Sequence, residues 1–125
     1  MPHDRAATAA AIRANPLAAY RTLLDGRHAE ALRRAPEHMH EAIALYVALG
    51  VVPGAFLSAV LQNDLCRAVA HADETNMARL RDLVAAIWNG APAAAWGSPN
   101  TVATWVERGG LLPRAPEDAE EARST

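Results

Sequence analysis

Apolar residues recur along this chain at three- and four-residue intervals, the period of a helix with one buried face, and nowhere sustain the period-two alternation of a half-buried strand. Residues 4–15 read as an alanine-rich helix ended by Pro16, whose ring disfavours helical geometry at the residue before it. Leu17, Tyr20, Leu23 and Leu24 continue at helical spacing to Asp25-Gly26, where Gly26 is expected to stop the helix, and a short amphipathic turn over 27–35 runs into Pro36. Met39, Ile43, Tyr46 and Leu49 then form a stronger stripe, broken by Gly50 and Val51-Val52-Pro53-Gly54. Phe56, Leu57, Val60, Leu61, Leu65 and Val69 are predicted to carry one continuous helix that ends near His71, so that Pro53-Gly54 becomes the turn of a helical hairpin.

The punctuation is as informative as the stripes. Asp73 is placed to cap the next helix, with Asn76 three residues on in position to reach back to it, a variant of the capping box. Met77, Leu80, Leu83, Val84, Ile87 and Trp88 give the best periodicity in the chain, and Asn89-Gly90 should end that helix. Residues 91–97 read as an irregular loop holding Pro92 and Trp96. Ser98 as N-cap and Pro99 at the first helical position open a last helix, with Val102, Trp105 and Val106 inward and Gly109 at its end. Trp88 and Trp105 are both expected inside, whereas Trp96 is either a plug in the bundle or a contact residue.

The chain has 125 residues, near the common size of one domain, so one core is expected. All twelve basic side chains are Arg, and the formal charge is −2, too small to mark a general nucleic-acid binder or a strongly acidic mimic of DNA. Its distribution is uneven: residues 1–36 carry +3, 37–113 carry −3 and 114–125 carry −2. The lone Cys66 cannot form an internal disulfide, and beside Leu65 and Val69 it is expected as a buried thiol in a reducing compartment. No signal-peptide pattern and no apolar run of about 20 residues is present, so residence in a bacterial cytoplasm, without membrane association, is the expectation.

Candidate chemistry is sparse. His38 and His40 lie about 200° apart on a helix and cannot converge on a metal. Cys66, His71 and Asp73 hold the residue types of a nucleophile, base and orienting acid, but adjacency in sequence does not build a triad. Phosphate-binding glycine loops, zinc-type cysteine spacing and paired catalytic carboxylates are not found in the sequence, so neither metal nor cofactor is expected and a catalytic site is not assigned. Asn63 and Asp64 stand out because, on a continuous helix from Gly54 to His71, Asp64 would lie near the apolar face and need a partner. It is read either as a clamp to Arg79, Arg81 or backbone donors near Gly54, or as a contact with a binding partner. Trp96, Asn63 and Asp64 are therefore the candidate partner-binding residues.

Four segments in order, Glu-Ala-Ile-Ala-Leu-Tyr-Val at 41–47, Pro-Gly-Ala-Phe-Leu-Ser-Ala-Val-Leu-Gln-Asn-Asp-Leu at 53–65, Ala-Asp-Glu-Thr-Asn at 72–76 and Trp-Gly-Ser-Pro at 96–99, resemble a group of small phage- and prophage-encoded helical proteins without an assigned activity. The resemblance covers about half the chain and leaves residues 1–36 outside it. It implies a cysteine just before Trp-Gly-Ser-Pro, where this chain has Ala95. It also implies a setting, an accessory protein made in an infected or lysogenic bacterium, in which inhibition of a host-defence system is one role.

The expected architecture is thus all-α: a compact helical bundle of four main helices in a core domain at 37–113, an Arg-rich helical N-terminal extension at 1–36, and a flexible acidic tail at 114–125. The leading functional expectation is a non-enzymatic factor that binds a host or phage protein. Its alternatives are a nucleic-acid-binding regulator using the Arg-rich N-terminal segment and a small enzyme with a site around Asp64.

Overall fold

The computed structural model describes residues 4–113, so the expected tail at 114–125 lies outside the described residues. Among these residues the chain is all-helical: α1 (Arg5–Ala14), α2 (Pro16–Leu23), α3 (Gly26–Leu32), α4 (His40–Leu49), α5 (Ala55–Leu61), α6 (Leu65–His71), α7 (Glu74–Ala78), α8 (Leu80–Gly90) and α9 (Pro99–Arg108), with 3-10 turns over Glu37–Met39 and Ala93–Ala95. Four main helices are expected at 37–113, where the described residues hold six α-helices. The helices are short, and none exceeds the eleven residues of α8.

Many of the local signals act as the side chains require. Asp4, Asn15, Asp25, Asp64, Asp73 and Ser98 each accept a hydrogen bond from a backbone N–H in the first turn of the helix they precede, supplying donors there with acceptors the helix lacks. Pro16 and Pro99 occupy first helical positions, where a missing N–H costs nothing. Gly26 differs from expectation: α2 ends at Leu23, and Gly26 is the first residue of α3 because Asp25 caps it through the His28 N–H at 2.8 Å.

Helix α4 is the axis of the molecule. Every residue from Ile43 to Leu49 is buried, so this helix is covered on all sides rather than along one stripe. Helices α1 and α2 pack on α4, α3 packs on α8, and α5 packs on α6. Ile12, Tyr20, Ala29, Leu32 and Ala35 from the N-terminal part belong to the same buried cluster as Ile43, Leu61, Leu83 and Trp105.

Burying the C-terminal end of α4 leaves its last carbonyls needing partners. Tyr46 O accepts from Gly50 N at 2.9 Å and from Trp105 Nε1 at 3.1 Å, while Val47 O and Ala48 O accept from the N–H groups of Leu111 at 2.8 Å and Leu112 at 3.0 Å. Leu49 O accepts from the Arg5 guanidinium at 2.6 Å, which also donates to Gly109 O and Leu112 O. Gly50 and Gly109, both left-handed, end α4 and α9, and the chain crosses itself here so closely that a Cβ on Gly110 would sit 2.5 Å from Gly50 N.

Candidate protein-binding surface

The loop that carries Trp96 is held from three sides. Tyr46 on α4 donates its hydroxyl to Ala95 O at 2.6 Å, a buried bond that fixes the 3-10 turn before Trp96. Gly97 N–H donates to Leu61 O at 2.8 Å, tying the residue after Trp96 to the end of α5. Ser98 then starts α9 by accepting from Thr101 N at 3.1 Å. Trp96, extended and half-buried, packs one side against the core and meets Trp88 edge to face, with ring centroids 5.6 Å apart and planes at 63°.

Trp88 corrects the expectation that it points inward: it is 70% exposed. Helix α8 carries two apolar stripes, Leu83, Ala86, Ile87 and Gly90 on one side and Leu80, Val84 and Trp88 on the other; the first is buried, whereas in the second Leu80 is half-buried against the core and Val84 and Trp88 are exposed. Gly90 explains the choice, because a Cβ there would lie 3.2 Å from Ala31 Cβ and from His28 O, so α3 seats on that side at close range. The second stripe, with Arg81, Ala85 and Asn89 beside it, lines a shallow surface groove. Two stripes on one eleven-residue helix were the sequence signal for this surface, since neighbouring positions point about 100° apart and a single packing face seldom covers both.

The continuous helix expected over Gly54 to His71 is also overturned. The chain turns at 62–64, with Asn63 in the left-handed region at φ 61°, and Asp64 begins α6 by accepting from Arg67 N at 3.1 Å. Asp64 therefore lies on no apolar face and clamps neither Arg79 nor Arg81 nor donors near Gly54. Its other side-chain neighbour is Arg67, at 3.9 Å. The break reorients α6, leaving Leu65 and Val69 exposed, and Cys66, expected buried, is exposed with them. Of the three candidate contact residues, Trp96 sits on the loop that the Gly97–Leu61 bond ties to the end of α5, Asn63 is exposed two residues after Leu61, and half-buried Asp64 serves as the cap of α6.

The other sequence candidates are occupied structurally. Asp73 caps α7 through Asn76 N at 2.7 Å, and Asn76 Oδ1 turns to His38 Nε2 at 3.3 Å rather than back to Asp73. Buried His40 places Nε2 2.7 Å from Ala35 O. Of the N-terminal arginines, Arg33 lies 3.5 Å from Glu30 and Arg34 3.9 Å from Asp82, whose carboxyl is held below its ordinary range chiefly by the Arg79 hydrogen bond. No group of three or more His, Cys, Asp or Glu side chains placed to hold a metal occurs among the described residues. No described helix is long and apolar enough to cross a membrane. Comparison with known proteins finds no matching family model, curated protein or solved structure.

Proposed function

We propose that this chain is a non-enzymatic accessory protein that works by binding a protein partner in the cytoplasm of a bacterium. The observation that carries this reading is the Trp88–Trp96 pair, with Trp88 largely in solvent and Trp96 held on a loop braced by Tyr46 and by Leu61. Large aromatic side chains with few rotatable bonds lose little entropy on binding, and they dominate the energetics of many interfaces. Asn63, at the turn joined to this loop through Leu61, extends the surface with an exposed amide. A phage or prophage setting rests on the sequence resemblance alone, and within it inhibition of a host-defence system is one role.

The test is capture of partners from a bacterial lysate by the wild-type chain and by Trp96→Ala and Asn63→Ala, each with and without nuclease. A protein retained after nuclease treatment and lost with either variant, while the variants keep their melting behaviour, supports the reading. Retention that disappears with nuclease transfers the assignment to nucleic acid and to Arg13, Arg21 and Arg27. Capture unaffected by both variants overturns this surface.

A further inference from the structure

Helix α1 is held to the fold chiefly by two of its side chains. Of its ten described residues Ile12 alone is buried, in the cluster that holds Tyr20 and Ile43, and Ala9 adds one methyl group against the same cluster. At the opposite end the Arg5 guanidinium donates to Leu49 O at 2.6 Å, to Gly109 O at 2.9 Å and to Leu112 O, carbonyls from the end of α4 and from the turn after α9. Between these attachments Ala7, Thr8 and Ala11 face an open groove of about 620 Å³, whose other wall is α2 at Ala19, Thr22 and Leu23. We infer that α1 is a strap that opens as a unit, hinged at Asn15 and latched by Arg5.

Three features keep the opening local. Asn15 is extended and serves both helices: its N–H donates to Ala11 O at 3.0 Å, and its side chain accepts from Ala18 N at 3.2 Å. The cap of α2 thus comes from Asn15, with Pro16 at the first helical position, and α2 keeps its start when α1 leaves. The Arg5 bonds are part-buried, so water can replace the guanidinium, while Val47 O and Ala48 O keep their donors at Leu111 and Leu112 and preserve the chain crossing. A ten-residue helix is shorter than the roughly 12 residues an isolated helix needs in water, so α1 melts once it detaches and its opening is one order–disorder step. That step removes one wall of the groove and bares the side of α4 on which α1 packs. Neither Trp88 nor Trp96 lines the groove, so the inference stands apart from the proposed function.

Residue-resolved amide hydrogen exchange of the full chain measures this opening. In the wild-type chain the amides of residues 9–14 are expected to agree in protection within about threefold and to be at least about tenfold less protected than those of α4. Arg5→Ala should lower the protection of α1 by about tenfold or more, because the closed strap loses its latch. Ile87→Val, a mild truncation in the buried face of α8, separates local from global opening. It should lower the protection of α4 by about three- to tenfold and leave that of α1 within about twofold, since Ile87 stays packed whether the strap is open or closed. Protection of α1 equal to that of α4, a gradient falling toward Arg5 as in end fraying, no response to Arg5→Ala, or an equal response of α1 and α4 to Ile87→Val overturns the proposal. The wild-type comparison decides by itself if either variant loses its fold, which circular dichroism reports.

Discussion

Tyr46 shows how single residues hold the functional loop in place. It is fully buried, and its hydroxyl serves Ala95 O, a carbonyl in a turn too short to satisfy itself. Tyr46→Phe leaves that oxygen without a donor and should cost about 1–3 kcal/mol in denaturant unfolding, the penalty of an unpaired buried polar group. Burial also pushes the Tyr46 phenol from 10.0 up to about 12 and raises that of Tyr20, whose hydroxyl bonds Gly90 O. The fold favours both neutral phenols, so their stabilising effect is complete below the ordinary value of 10.0 and is lost as pH rises from there through the raised values. Tyrosinate absorbance and helical ellipticity should therefore change together in alkali; phenols ionising near pH 10 with the helices intact would contradict this burial. Gly110 is a purely steric case: at φ 82°, with Gly50 N 2.5 Å from the position of a Cβ, Gly110→Ala should lose more than about 2 kcal/mol in the same assay.

At the scale of elements, the decisive feature is the break between α5 and α6. An apolar stripe continuous through Leu61, Leu65 and Val69 predicts one helix, but Asn63 tolerates the left-handed conformation and Asp64 is a strong cap, and these two residues together restart the helix one turn on. Asp64→Ala should lower stability by about 0.5–2 kcal/mol, and Asp64→Asn should stay close to wild type because an amide oxygen caps equally well. Equal losses in urea melts of the two variants would point to the charge, and so to Arg67, rather than the cap. Helix α8 makes the complementary point. Both of its apolar stripes have helical period, and periodicity alone does not rank them.

The whole molecule sorts the tryptophans. Trp105 is 3% exposed, donates Nε1 to Tyr46 O and Val47 O, and carries the Arg108 guanidinium 5.0 Å from its ring centroid. Trp105→Ala should cost about 3–5 kcal/mol as a core truncation, whereas Trp88→Ala should cost under about 1 kcal/mol. Acrylamide should quench a Trp88-only variant strongly and a Trp105-only variant weakly, and similar quenching of both would contradict the assignment of α8's outer face. The N-terminal helices matter at this scale too. Ile12, Tyr20 and Leu32 fill the core beside α4 and α8, and Arg5 completes the α4 terminus, so residues well separated along the chain complete one another's hydrogen bonding.

By itself the sequence determined the helical class and several of its punctuation marks: Asp73, Ser98-Pro99, Gly50, Gly109 and the end of α8 at Gly90. These depend on interactions within about four residues, between a cap and its own first turn or a glycine and its own φ, which local spacing displays. Tertiary structure decided which apolar face is covered. That Leu83 and Ile87 go inward while Val84 and Trp88 remain outside depends on the seat α3 finds at Gly90, and the placing of Trp96 depends on donors from Tyr46 and Gly97 and an acceptor at Leu61. Such pairings join positions dozens of residues apart, where hydrophobic periodicity carries no information about which surface meets which.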